Sequence, residues 1–380
     1  MTVRLYDTAR AGIFPIEAGP IVTLYSCGIT PYDSAHLGHA AVYLTFDILQ
    51  RRLRDLGHET RCVRNVTDVD DDILRKAREL GVHYLDLAAA QIAVFDAQMD
   101  ALGLLACYSE PRATSAISEI LTLIGATLDE GHAYEAGGAV YFDTSSFAAF
   151  GEVSHLDRAT MLELAAEHGG NVDDPFKRDP LDFVLWQPSL PDEPSWESRW
   201  GPGRPGWHIE CSALALRELG ETIDVHGGGR DLVFPHHECE TAQSESVTGK
   251  PFVRHWLHHG LVGLDGVKMS KSLGNLVFVA DLLKQAEPAA ARLALLDHHY
   301  RSDWEWHDAD LERAIERLTR WREATGRSDE SVLEEVRAHL DDDLDTVGAL
   351  RALDEHARGG HRVTAGAALL GISLEATDGA

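Results

Sequence analysis

The chain has 380 residues, enough for two or three domains, and its 44% hydrophobic and 25% charged residues are the balance of a soluble globular protein with a sizeable core. A formal net charge of −28 argues against a protein that coats nucleic acid or lies on a membrane surface, since both need clustered Lys and Arg; a local basic patch stays open. No apolar run of signal-peptide length opens the chain and no stretch of about 18 apolar residues follows, so a cytoplasmic location is expected, and the odd count of 5 cysteines reads as thiols or metal ligands rather than a disulfide framework.

Ile21–Gly28, a short apolar, β-rich run closed by glycine, reads as a buried strand. After a turn at Thr30–Asp33, residues Gly38–Leu56 carry Ala41, Leu44, Phe46, Leu49 and Leu53 on one helical side. His58–Val66 is a second strand and Asp68–Leu80 a second helix, an alternation that points to a parallel sheet with crossover helices. Helices over Leu85–Leu105 and Ala113–Gly131, a hairpin over Tyr134–Phe142 and a polar stretch ending in Lys177–Trp186 read as an insertion, left through the Pro- and Gly-rich Pro188–Gly206. Alternation returns through Asp224–Gly227, Thr241–Gly249 and Trp256–Leu264. From Asp281 the pattern is helical to about Ala357, and the Gly/Ala-rich end is expected to fray.

His36-Leu37-Gly38-His39 sits at the start of the first helix. A helix N-terminus offers free N–H groups and the positive dipole end to an anion, and Gly38 lets backbone approach a ligand. Taken alone, the pair is more simply read as surface histidines. Lys268-Met269-Ser270-Lys271-Ser272, before Leu273-Gly274-Asn275, is either a solvated basic loop or a cationic clamp for a leaving pyrophosphate. Gly227-Gly228-Gly229-Arg230-Asp231 offers bare backbone to a flat ligand and a carboxylate to a ribose hydroxyl, against the plainer reading of a tight turn. Cys27, Cys211, His236 and Glu240 are residue types that zinc takes, and His236 and Glu240 share a face if helical. With no Cys-x-x-Cys pair, the two cysteines are more simply read as small core residues. The carboxylate-rich Asn65–Asp72 reads as a helix cap rather than a metal site, and Cys62, Cys107 and Cys239 receive no role.

In order and separation, the first two motifs resemble the HIGH and KMSKS signatures of class I aminoacyl-tRNA synthetases. The cysteine, histidine and glutamate segments are similar to those of cysteinyl-tRNA synthetases and of their close relative, the mycothiol-pathway ligase that joins cysteine to glucosaminyl-inositol. The resemblance covers roughly residues 1–350. It implies an α/β, Rossmann-like class I synthetase nucleotide-binding fold with an inserted α+β region and a C-terminal helical domain. The implied division is 1–110 and 191–275 for the two halves of the nucleotide domain, 111–190 for the connective insertion and 276–380 for the helical region. It implies ATP with Mg²⁺ as substrate, His36, His39, Lys268 and Lys271 as catalytic groups, and Gly38, Gly227, Gly228, Gly229, Asp231, Met269 and Ser270 around the nucleotide. Cys27, Cys211 and His236 would hold a zinc ion that recognises the thiolate of L-cysteine, with Glu240 a fourth ligand in the synthetase pattern. Trp207 would wall the cysteine pocket, with Thr30 and Thr67 beside the bound amino acid. The chain is expected to act as a monomer.

Both relatives share every activation motif, so the acceptor is decided elsewhere. The short stretch after residue 311 leaves little room for an anticodon-recognising region. Residues 311–380 hold 9 Arg and no Lys against 15 Asp plus Glu, which suits RNA phosphate poorly. Gly28–Asp33 and His298–Trp306 resemble the ligase's versions. Glu240, Lys177–Trp186 and Ala242–Glu245 are closer to the synthetases, where the ligases carry a small or uncharged residue at the Glu240 position, and Asp72 stands where the family has a basic residue. An amine acceptor, glucosaminyl-inositol, is therefore the preferred expectation, with another amine or carrier, or tRNA, as alternatives.

Overall fold

The structure, a computed structural model, describes residues 2–269, 274–327 and 330–375. Two short antiparallel strands, β1 (Arg4–Asp7) and β2 (Gly12–Pro15), precede the central unit. β3 (Ile21–Ile29) leads into α1 (Leu37–Asp55) and then β4 (Glu59–Val66). α2 (Asp71–Leu80) starts three residues later than the sequence pattern suggests, because the Asp70 side chain caps it by accepting from the Ile73 N–H at 3.0 Å. α3 (Tyr84–Ala101) ends just before Gly103, whose φ is +72°.

The insertion consists of α4 (Ile117–Asp129), β5 (Ala133–Ala136), β6 (Ala139–Phe142), α5 (Arg158–Glu167), β7 (Phe183–Gln187) and β8 (Arg204–Pro205). Its strands form an antiparallel sheet in the order β5-β6-β7-β8, so its last strand falls beyond residue 190. The chain then re-enters the centre through α6 (Trp207–Leu219), β9 (Val225–Gly229), a π-type turn over Val233–His237, α7 (Glu238–Thr248) and β10 (Trp256–His259).

The expected single strand Trp256–Leu264 is divided at Gly260, where a Cβ would lie 2.3 Å from the Ser302 carbonyl oxygen. Beyond it, β11 (Val262–Leu264) pairs with β12 (Val267–Lys268) and with a later strand in a separate small sheet. Helices α8 (Val279–Gln285) and α9 (Pro288–Leu296) follow, then that strand, β13 (Trp304–Glu305), and α10 (Asp308–Glu323), α11 (Glu330–Asp341), α12 (Thr346–Arg358) and α13 (Thr364–Leu369). The expectation of a frayed end does not hold through residue 372: Leu370 and Ile372 are buried in the main core, where apolar side chains outweigh the flexibility of the glycines around them.

The central sheet is all parallel, in the order β10-β9-β3-β4. β4 follows β3 on one side and β9 lies on the other, so the strand order reverses between β3 and β9. A crevice opens at the carboxyl ends of strands at such a reversal. Cys27, the three glycines of β9 and the end of β10 all lie along that edge. Close strand approach depends on two glycines. A Cβ on Gly28 would sit 1.5 Å from the Asn65 carbonyl oxygen, and one on Gly227 would sit 1.6 Å from that of Leu257.

Candidate functional site

Four elements deliver the central cluster. Cys27 lies near the end of β3, Cys211 one turn into α6, His236 in the turn before α7, and Glu240 in the first turn of α7. One ligand atom from each lies within 4.8 Å of the other three, and all four residues are buried. The i, i+4 spacing brings His236 Nε2 to 2.7 Å from Glu240 Oε1. The Cys27 thiol donates to the same oxygen at 3.5 Å.

Three further histidines pack behind this cluster, and the sequence reading missed them. His226 of β9 places Nε2 2.8 Å from Glu240 Oε2 and Nδ1 2.9 Å from the Tyr25 carbonyl. His237 places Nε2 3.3 Å from the Cys27 sulfur and Nδ1 2.6 Å from His258 Nε2. Cys27, His226, His237 and Glu240 thus form a second group within the same 4.8 Å limit. The usable signal was local: a histidine inside the buried run Val225–Gly228 and a second one beside His236.

The electrostatics separate the two thiols. The Cys27 hydrogen bond and then the His236 charge outweigh burial at Cys211 and bring it down to about 6. Burial and the same hydrogen bond push Cys27 up. Burial opposes charge on His236, but Glu240 and Cys211 overcome it and raise the imidazole to about 10. At Glu240, burial is overcome by His236 and His226, and the carboxyl falls to about 2. The Cys211 thiol and the Glu240 carboxyl are thus both shifted toward their ionised, metal-binding forms. Two thiols, an imidazole and a carboxylate converging this closely are a donor set suited to zinc.

Around the cluster, Trp207, the first residue of α6, stacks on His236 with centroids 4.3 Å apart. Thr30 donates to Asp70 Oδ2 at 2.7 Å, and the Thr67 hydroxyl accepts from Asn65 Nδ2 at 3.1 Å, on the two loops that leave β3 and β4. His36 caps α1: its Nδ1 accepts from the Gly38 N–H at 3.1 Å, and its ring lies 3.8 Å from that of His39. Backbone bonds from Leu37 to Val277 and from Val279 to Ala35 tie this helix start to the segment after the lysine motif. Gly227, Gly228 and Gly229 lie beside the end of β10, and Lys268 reaches back to Asp231 at 3.0 Å. The Met269 side chain is buried in the main core, and its backbone N–H donates to the Val262 carbonyl at 2.9 Å. Ser270 and Lys271 lie outside the described residues. Cys62 and Cys107 line one small cavity with Tyr43 and Arg64, away from the cluster.

The profile of the family described as tRNA synthetases class I (C) catalytic domain matches residues 14–316. The L-cysteine:1D-myo-inositol 2-amino-2-deoxy-alpha-D-glucopyranoside ligase of Parafrankia sp. is 50% identical, over 93% of this chain and 81% of that protein. The chain belongs to this ligase family within the class I synthetases. The ligases of Streptosporangium roseum and Nakamurella multipartita, of the same name, are each 48% identical, over 93% and 98% of this chain and 88% and 95% of theirs. The ligase-family chain also shares its fold with methionyl-tRNA synthetase of Mycobacterium tuberculosis bound by methionyl-adenylate. That structure has a TM-score of 0.64 at 16% identity, over 93% of this chain and 88% of the other. A second fold relative is a putative arginyl-tRNA synthetase from Campylobacter jejuni, at TM-score 0.61 and 12% identity over 94% of both chains. Among the described residues, no helix is long and apolar enough to cross a membrane.

Proposed function

We propose that this protein uses ATP to activate L-cysteine as an adenylate and transfers the cysteinyl group to the amine of glucosaminyl-inositol. The observation that carries the reading is the convergence of Cys27, Cys211, His236 and Glu240 at the carboxyl edge of a parallel sheet, in a chain about half identical to ligases named for that reaction. These four residues would hold a zinc ion, preferred over the second group because they supply two thiolates rather than one. When bound, the ion offers a soft site for a thiolate, which serine cannot match. Trp207 walls the pocket beside it.

ATP lies across the strand ends, with its phosphates over His36 and His39 at the start of α1. The backbone of Gly227–Gly229 and the Asp231 carboxylate take the adenosine. A carboxylate oxygen of cysteine attacks the α-phosphate in line and pyrophosphate leaves, its growing charge met by Lys268, Lys271 and Mg²⁺. The Lys268–Asp231 contact brings the lysine loop against the ribose side of the site. The acceptor amine then attacks the adenylate carbonyl and AMP leaves. The protein's contribution is positioning and charge stabilisation rather than covalent catalysis.

The C-terminal helices favour the small acceptor over tRNA. Several of their arginines are already paired with the protein's own acids: Arg317 with Asp297 and Asp354, Arg322 with Glu287, and Arg337 with Asp55 and Glu334. Cations neutralised this way have little to offer phosphates. An acceptor competition tests the reading: enzyme, ATP and labelled cysteine with glucosaminyl-inositol in one tube and total tRNA in another. Cysteinylated aminosugar with uncharged tRNA is expected. Charged tRNA would make this a compact synthetase, and adenylate with neither product would assign cysteine to another acceptor.

A further inference from the structure

The residue before Cys211 on α6 is Glu210, and its side chain is wholly buried. Neither of its carboxylate oxygens has a hydrogen-bond partner. The surrounding buried acids are all satisfied. Glu240 is held by His226 and His236, Glu238 by the backbone N–H groups of Gly151 and Ser154, and Asp68 by Thr114. A buried carboxyl group whose two oxygens find no donor is unfavourable, and a donor arriving with a ligand would satisfy it.

The location narrows that donor. α6 packs against β3 and β4, and the charged groups that act most on Glu210 are Asp70, Cys211 and Asp68, opposed by Arg204. Arg204 is already engaged by Glu193 and Asp71. Acids thus outweigh cations around Glu210, beside the loop after β4 that carries Thr67 and whose Asp70 holds Thr30.

We propose that Glu210 receives the α-ammonium group of the amino-acid substrate, which makes it a specificity residue for the activation step. The inference rests on cysteine being that substrate. In cysteine only two carbons separate sulfur from nitrogen, a span of roughly 3 Å. Glu210 lies one turn (i, i+3) from Trp207 on α6 and feels the charges of both Cys211 and Asp70, the residue that holds Thr30, so a substrate with its sulfur at the cluster and its backbone beside Thr30 brings its nitrogen toward Glu210. An ammonium has three N–H donors, enough to satisfy both carboxylate oxygens, and its charge offsets the surplus of acids.

The test compares L-cysteine with 3-mercaptopropionate, which keeps the thiol and carboxylate but lacks the amine, on zinc-loaded wild type, Glu210→Gln and Glu210→Asp. Affinity is read by calorimetric titration and activation by pyrophosphate exchange. Glu210→Gln is expected to weaken L-cysteine about 10- to 100-fold while 3-mercaptopropionate changes less than about 2-fold. Glu210→Asp keeps the charge and should recover part of the cysteine affinity; it also carries the test if the Gln variant does not fold. Equal losses for both ligands, or an unchanged preference for cysteine, would overturn the assignment. Wild type that fails to bind cysteine at all would instead overturn the cysteine reading beneath it.

Discussion

Glu240→Gln tests the metal assignment most directly. The carboxylate takes His236 at 2.7 Å on one oxygen and His226 at 2.8 Å on the other, with the Cys27 thiol at 3.5 Å. The amide keeps one acceptor, turns an N–H₂ donor toward a ring or thiol, and removes the charge that holds the site together. Each hydrogen bond to a charged group is worth about 1.5–3 kcal/mol, and breaking a buried pair costs about 3–5 kcal/mol. A loss of about 3–4 kcal/mol corresponds to about two to three decades in zinc dissociation constant. Competition against a chromophoric chelator measures this, with circular dichroism as a check on the fold. His226→Gln, which removes only the group behind Glu240, is the companion variant and should cost about 10- to 100-fold. A change below about 10-fold in Glu240→Gln, or one smaller than in His226→Gln, refutes the assignment of Glu240 as a ligand.

Cys211→Ala should lose stoichiometric zinc, read by atomic absorption after dialysis; retained zinc would point to the second group built on His226 and His237. Lys271→Ala should slow cysteine-dependent pyrophosphate exchange about 100-fold, in the range of a lost transition-state donor, with little change in cysteine affinity; unchanged exchange would remove its role. Asp70 gives a pH signature. Burial raises its carboxyl to about 6, so its folded-state preference for the proton is fully present below about pH 4 and is lost as pH rises toward 6. Asp70→Asn keeps a capping oxygen for Ile73, and it should stabilise the protein by about 1 kcal/mol at pH 8 and not at pH 4. Thermal unfolding of both proteins at the two pH values checks this, and a gain that persists at pH 4 would contradict it.

Some of this protein is written in local pattern. The strand Ile21–Ile29, the helix behind it and the strand Glu59–Val66 could be read from apolar runs, 3.6-residue spacing and a closing glycine, because those signals act within a few residues. His36 and His39 were legible for the same reason: they mark a helix start. Periodicity said little about Trp256–Leu264, where the chain changes sheets at Gly260 because a neighbouring carbonyl leaves no room for a side chain. Nor did it see that Leu370 and Ile372 would find a core to pack into.

The sequence by itself determined which residue types were available for the chemistry and which strand–helix junctions they flank. Tertiary structure decided what they face. Setting β9 beside β3 brings Cys27 to Cys211, His236 and Glu240, residues up to 213 positions away, a proximity that follows from strand order and not from spacing. The same closure buried His226, His237 and His258 behind the cluster and left Glu210 without a partner. Polar residues such as these carry no apolar periodicity, so their environment exists only once the elements around them have packed.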